Sequence, residues 1–237
     1  GLLLRAGDVA GALTILSALA SEVKRLDDKL LLVDVHLLES RAHRALRDLP
    51  RARATLTAAR AAAASTYVPP AQQAELDAQS GTLHADERDY RTAFSYFYEA
   101  FDALAPMSGA VSSTSEPSET GEGTTAETAA TQLTAQHRRN AASALKHMLL
   151  CKVMMGDAAE VPGLVAAKAG VRFAGRDVDA LSAVAAAHAA RSLSALDKAL
   201  QDWRQELEGE KKVFPPPHFF FPPFRVRVFC FFFSFFF

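Results

Sequence analysis

The sequence has few of the residues and motifs on which catalytic or metal sites are commonly built. Its two cysteines, Cys151 and Cys230, lie too far apart to suggest a disulfide framework or a zinc-binding spacing. Their scarcity favours a reducing cytosolic or nuclear setting over secretion. No GxSxG, HExxH, CxxC or kinase-type motif is present. We therefore expect a protein that is not an enzyme and that has no catalytic residue, cofactor or metal site.

An excess of charge of one sign is also lacking. The chain has 26 Lys and Arg residues against 27 Asp and Glu residues, so its formal net charge is −1. Nucleic acid and anionic membranes are therefore not expected partners. The opening segment, GLLLRAGDVAGALTIL, lacks the basic region of a signal peptide, and its apolar residues have helical spacing. Because the first residue is Gly1 and not Met, we expect that the chain begins inside a longer protein.

Amphipathic helices rich in Ala and Leu account for almost every segment up to about residue 207, and no alternating strand pattern occurs. The fold class is therefore predicted to be all-α. Ser192 is the predicted N-cap of the last helix, which has an apolar stripe. The predicted helices cover 7–19, 29–46, 50–66, 71–85 and 89–101, resume at about 137 and end near 207.

A helical pattern repeats along the first half of the chain. Aligning DVAGAL, DLPRAR and DYRTAF places Ala12, Ala52 and Ala93 in register, 40 and 41 residues apart. Each copy has an acidic turn residue, then a small alanine that allows two antiparallel helices to approach closely. This pattern is typical of helix–turn–helix repeats slightly longer than a tetratricopeptide unit. A later copy is predicted at Asp177–Leu181.

The stretch DYRTAFSYFYEAF concentrates aromatic residues, and its rings could form either a stacking platform or a core. Five rings recur at helical spacing, whereas Arg91 is the only cation in the segment. Rings that stack on bases are usually accompanied by several basic residues, so the spacing favours core packing. Tyr96 lies off this stripe and is expected to be partly exposed. The five rings predicted to face the core are Tyr90, Phe94, Phe97, Tyr98 and Phe101.

Two segments depart from the helical pattern. Residues 105–136 are rich in Ser, Thr, Gly, Glu and Pro and have few apolar side chains, so they are predicted to be a disordered insertion. The last segment, 209–237, contains twelve of the 16 phenylalanines, and prolines and two arginines lie between them. It is unlike a membrane span and is predicted to be a gene-model artefact. The helical repeats are thus assigned to 1–104 and 137–208.

Several polar clusters could in principle carry chemistry, but each has a simpler interpretation. His36 and His43 are seven residues apart on one helix, roughly 10 Å, which is too far for one metal ion. The motif HADE at His84–Glu87 is expected to be a polar turn between repeat helices. Cys151, among apolar residues, is expected to be a buried structural thiol.

No function is expected of two further short motifs. GEGTT at Gly121–Thr125 lacks the third glycine and the lysine of phosphate-binding loops, and it follows no strand. HRRN at His137–Asn140 could contact an acidic partner, but basic residues at a helix start are usually only solvated.

Long irregular blocks of the sequence resemble the family of proteasome lid subunits known as 26S proteasome non-ATPase regulatory subunit 11. They occur in that family's order and together span most of residues 29–207. The blocks are KLLLVDVHLLESRAHRALRDLPRARATLTAAR (29–60), SYFYEAF (95–101), KHMLLCKVM (146–154), FAGRDVDAL (173–181) and RSLSALDKALQDWRQEL (191–207).

The resemblance implies a right-handed α-solenoid of tetratricopeptide-like hairpins that leads towards a winged-helix PCI domain, which is expected to be missing after residue 208. It implies a non-catalytic scaffold that braces the lid against the ATPase ring and the core particle's outer ring, in the cytoplasm and nucleus, within a hetero-oligomer. Two alternatives stay open. One is a COP9 signalosome subunit of the same architecture, and the other is a free tetratricopeptide adaptor that binds peptides.

Overall fold

The computed structural model describes residues 7–108 and 125–206, with side chains from residue 131 in the second range. Within these ranges every regular element is helical, which confirms the all-α class. Each helix packs mainly on its neighbours in the chain, as in a solenoid. The helices are α1 (Val9–Leu26), α2 (Lys29–Ala45), α3 (Leu49–Ala64), α4 (Pro70–Asp86), α5 (Tyr90–Met107), α6 (Thr125–Met155), α7 (Val161–Ala166), α8 (Lys168–Val171), α9 (Arg176–Ala189) and α10 (Leu193–Asp202), with a 3₁₀ turn at Ala158–Glu160.

The predicted repeat turns share one geometry. Arg47 and Arg88 follow α2 and α4 with φ angles of 62° and 67°, the left-handed conformation that ends many helices. The next residue in each case is an aspartate, whose N–H donates to a carbonyl of the preceding helix, 3.0 Å in the first turn and 2.9 Å in the second. The carboxylates of Asp48 and Asp89 then accept N–H bonds at the start of α3 and α5. The acidic turn residue of the repeat is thus an N-cap.

Small residues allow close helix packing, as the repeat predicted. Ala52 and Ala93 are fully buried, and each faces a small residue twelve positions earlier in the preceding helix. Ser40 donates its hydroxyl hydrogen to the carbonyl oxygen of Ala52 at 2.9 Å. At the equivalent position of the next repeat, Gly81 lies so close that an added methyl carbon would be 3.1 Å from the carbonyl oxygen of Ala93.

The later repeat copy predicted at Asp177–Leu181 is not a repeat start. Asp177 lies inside the first turn of α9, whose N-cap is Gly175. The left-handed turn followed by aspartate occurs instead after α6, at Gly156 (φ 89°) and Asp157. There a 3₁₀ turn and two short helices replace a long one. The predicted cap of the last helix, Ser192, is confirmed by its bond from the Ala195 N–H.

The boundaries of the 105–136 insertion differ from the prediction. Helix α5 continues to Met107, and α6 starts at Thr125, twelve residues before the predicted start at His137. Residues 125–136 include four alanines together with Glu and Gln, which have high helix propensity, so the helix can extend beyond its packed half. Residues 109–124 and the 209–237 tail lie outside the described residues.

The apolar core forms two main clusters that meet at α4. The first joins α2 and α3 to Leu76 and Leu83 of α4. The second joins Ala74 and Ala85 of α4 to α5, α6 and α9. A smaller cluster packs α1 against α2. Helix α4 therefore has one face in each of the two large clusters.

Candidate interaction surfaces

The aromatic stretch on α5 forms part of the core, with one exception. Phe97 and Phe101 are buried, and their rings contact His147 and Phe173 at centroid distances of 4.8 and 5.4 Å. Tyr98 is 51% exposed, so its predicted place in the core is wrong. Consecutive residues on a helix point about 100° apart, and a stripe centred on Phe97 therefore leaves Tyr98 at its edge.

Tyr96 is only partly exposed, because two side chains from other helices enclose its ring. The Arg60 guanidinium of α3 lies 4.5 Å from the ring centroid, and the His84 ring of α4 stacks on it at 5.4 Å. The Tyr96 hydroxyl also accepts a hydrogen bond of 2.9 Å from Arg60. Tyr96 thus joins three consecutive helices instead of forming a free contact site.

Arg60 also pairs with an acidic residue that the sequence analysis did not single out. Its guanidinium lies 2.9 Å from Asp77 of α4, whose side chain is 8% exposed, and Gln73 donates to the other carboxylate oxygen. One signal was available in the sequence: Asp77 follows Leu76 inside an otherwise amphipathic helix. The sequence could not show that the partner of this buried carboxylate is 17 residues earlier.

The carboxylates of the HADE motif link neighbouring hairpins. Asp86 pairs with Arg44 of α2 at 2.6 Å, and Glu87 pairs with Arg53 of α3 at 2.9 Å. They do not converge on a substrate-sized site with His84, which stacks on Tyr96. The polar turn that the sequence predicted therefore also links neighbouring repeats through ion pairs.

Burial controls the chemistry of two groups at the α5–α6 interface. Desolvation is the main reason that the pKa of His147 falls to about 3, with smaller contributions from Arg44 and Lys146. Desolvation also raises the pKa of the Cys151 thiol to about 12, and that side chain is buried. Cys151 is thus a structural thiol, as the sequence predicted, because a nucleophilic cysteine needs a lowered pKa.

The other polar clusters do not combine into a site. His36 is buried and bonds Glu39 at 2.8 Å, while His43 is half-buried at the end of α2. Among the residues that the structure describes, no group of three His, Cys, Asp or Glu side chains could hold a metal ion. In the HRRN motif, Arg138 and Arg139 are exposed on α6 as expected, but His137 is buried. The GEGTT motif lies outside the described residues except for Thr125.

An exposed apolar stripe occurs on the outer side of the first two helices. Ile15, Leu19 and Leu26 follow helical spacing on α1 and are 58%, 37% and 75% exposed. Leu30 and Leu31 add two further exposed leucines at the start of α2. In the later repeats, the positions equivalent to Leu19 are Ala59 and Ala100, which are fully buried. The apolar stripe is a candidate contact surface of the N-terminal repeats.

None of the helices in the described ranges has both the length and the hydropathy to cross a membrane.

Curated proteins that are similar to this chain are regulatory subunits of the 26S proteasome. No protein-family model matches the chain. The chain is 45% identical over 209 residues, 88% of its length, to a protein of Arabidopsis thaliana called "26S proteasome non-ATPase regulatory subunit 11 homolog". It is 41% identical over 84% of its length to the "Probable 26S proteasome regulatory subunit rpn6" of Schizosaccharomyces pombe, and 38% identical over 84% to the "26S proteasome regulatory subunit RPN6" of Saccharomyces cerevisiae. The chain spans 43% of the first relative and 41% of each of the other two.

Proposed function

Because the chain belongs to the family of 26S proteasome non-ATPase regulatory subunit 11, we propose that it is a non-catalytic scaffold subunit of the proteasome lid. The observation that carries the proposal is the 38–45% identity to proteasome regulatory subunits across more than four fifths of the chain. The Arabidopsis relative is named a non-ATPase regulatory subunit homolog, which supports a non-catalytic role.

The proposed role is mechanical. Consecutive helices linked by short capped turns and by ion pairs make an elongated element that can brace other subunits. The proposed partners are other lid subunits, the ATPase ring and the outer ring of the core particle. We place this hetero-oligomer in the cytoplasm and nucleus, in the service of ubiquitin-dependent protein degradation.

The test is affinity purification of the tagged chain from cells of its source organism, followed by mass spectrometry with quantified lid and ATPase subunits. The proposal expects these subunits in near-constant ratio, and weaker recovery of them with the destabilised Gly81→Val variant. Recovery of COP9 signalosome subunits instead would assign the chain to the other complex. A monomeric chain without lid or ATPase subunits would overturn the proposal.

A further inference from the structure

Two apolar clusters meet at helix α4, and the described repeats can be divided there into two blocks. The N-terminal block comprises α1 to α3, and the C-terminal block comprises α4 to α10. Only Leu76 and Leu83 of α4 enter the fully buried apolar cluster of α2 and α3. Polar side chains make further contacts between the blocks.

Polar groups of the two blocks meet at this boundary. Of the nine buried polar or charged side chains in the described residues, seven lie on α2 and α4, although some of them, such as Ser80 and Thr82, bond within their own helix. Gln79 and Ser40 meet across the boundary at 3.4 Å, and Gln72 donates to the carbonyl oxygen of Leu30 at 3.3 Å. The seven side chains are His36, Glu39 and Ser40 on α2, and Asp77, Gln79, Ser80 and Thr82 on α4.

Four ion pairs cross the same boundary, and all have the same direction. In each pair the cation belongs to the N-terminal block and the anion to α4 or its C-cap. The Arg44–Asp86 pair is well shielded, with side chains 16% and 10% exposed, whereas Arg60–Asp77 is shielded only on the Asp77 side, at 36% and 8%. The four pairs are Arg41–Glu75, Arg44–Asp86, Arg53–Glu87 and Arg60–Asp77.

The contact between α5 and α6 inside the C-terminal block has a different character. Phe97, Phe101, Leu145, Met148 and Leu149 are buried there in one apolar cluster. Burial of apolar surface depends weakly on moderate salt, whereas ion pairs between exposed side chains weaken as ionic strength rises, and buried pairs weaken much less. The exposed pairs of the boundary are Arg41–Glu75 and Arg53–Glu87. The two contacts should thus respond differently when ionic strength rises.

We propose that the boundary between α2/α3 and α4 is a salt-sensitive joint, at which the N-terminal block bends or opens while the C-terminal block stays folded. Such opening of one cooperative unit is common in proteins whose parts have separate cores. The joint is a property of the chain itself and would exist whether or not the protein is incorporated into a proteasome.

The first test is native-state hydrogen exchange of the full chain at about 0.05 M and 1 M NaCl, which differ greatly in Debye length. Amides of α1 to α3 should exchange about tenfold faster at high salt, a change that corresponds to ~1.4 kcal/mol in the opening equilibrium. Amides of α5 and α6 should change by less than about twofold, within the ordinary variation of local opening.

A pair of substitutions should reproduce the salt effect at low ionic strength. Glu75→Gln combined with Glu87→Gln removes the anions of the two exposed pairs of the joint with little change of shape. The matched control, Asp177→Asn, removes the partner of Lys146 inside the C-terminal block. The first variant should speed exchange in α1 to α3 at 0.05 M NaCl, and the control should not.

Distances between spin labels separate bending from unfolding. Labels at Ser17→Cys on α1 and Ala186→Cys on α9 span the joint, while Ser95→Cys and Ala186→Cys lie in the C-terminal block, and all three sites are exposed. A Cys230→Ser background leaves only the buried Cys151. At 1 M NaCl the first distance distribution should broaden and the second should stay unchanged.

Two results would overturn the joint. One is equal acceleration of exchange in α1 to α3 and in α5 to α6, which would show a single cooperative unit. The other is an unchanged Ser17–Ala186 distance distribution together with unchanged exchange at 1 M NaCl. Because these measurements use the unaltered fold, failure of the double variant to fold would not remove the test.

Discussion

Gly81 on α4 lies directly against the ring of Phe97 on α5, and this contact sets how closely the two helices approach. A methyl carbon at Gly81 would be 3.0 Å from the Cδ1 and Cε1 atoms of Phe97. Phe97 is fully buried and contacts His147 on its other side. A glycine here therefore provides the space that lets one aromatic ring fill the interface between three helices.

We expect Gly81→Val to destabilise the protein by about 1–3 kcal/mol, because the added carbons overpack the contact with Phe97 and Ala93. The measurement is the midpoint of urea unfolding followed by circular dichroism. The control is Gly163→Ala, since nothing lies within 4 Å of a methyl carbon at that helical glycine. The control should be neutral or slightly stabilising through helix propensity. Equal effects of the two substitutions would contradict the packing argument.

The stability of the protein should fall in mild acid because His147 is buried. Its folded-state pKa of about 3 lies below the ordinary value of 6.5, so the unfolded state binds the proton first. The contribution of His147 to stability is therefore fully present above pH 6.5. It is lost as pH falls towards 3, by at most ~1.4 kcal/mol per pH unit. The check is the free energy of unfolding between pH 7.5 and 4.5.

His147→Gln should flatten that pH dependence, although it lowers stability at pH 7.5 through lost packing on Phe97. His188→Gln on α9 is the matched control, and it should keep the slope of the parent protein. If the slope persists unchanged in His147→Gln, other groups cause the acid sensitivity.

Tyr96 and Tyr98 differ by two positions, yet their truncation should have unequal effects. Tyr96→Ala removes the ring between Arg60 and His84 and should cost about 2–4 kcal/mol. Tyr96→Phe loses only the hydroxyl contact with Arg60, which predicts a loss of about 0.5–1.5 kcal/mol. Tyr98→Ala at the exposed position should cost less than about 1 kcal/mol. Denaturant unfolding of the three variants checks this order, and a larger loss in Tyr98→Ala would contradict it.

Cys151 should resist thiol reagents until the protein unfolds. A pKa of about 12 leaves roughly one thiolate in ten thousand thiols at pH 8, and the side chain is also inaccessible. The experiment follows the reaction of the Cys230→Ser variant with a chromogenic disulfide, in buffer and in about 6 M guanidinium, which unfolds most domains. Rapid stoichiometric reaction of the native protein would show that Cys151 is reachable.

Local sequence patterns determined the helices, the repeat and most of the core. The period of about 3.6 residues, the aspartate caps and the small alanines all act within one helix or one turn. They can therefore be recognised from residues that are close together in the sequence. Ala12, Ala52 and Ala93 are accordingly buried in their predicted register. The sequence did not predict the start of α6, because a segment of good helix formers that has no apolar face resembles an unstructured linker.

Which polar residues meet was decided only by the tertiary structure. Arg60 reaches Asp77 and Tyr96, and Arg44 reaches Asp86 42 residues away, because stacking of the hairpins places these positions side by side. Tyr98 lies in solvent for a similar reason, since the packing of the neighbouring helices decides where the buried stripe of α5 ends. A sequence specifies each helix through local forces, whereas the partner of a charged side chain depends on the distances between helices that only the folded chain establishes.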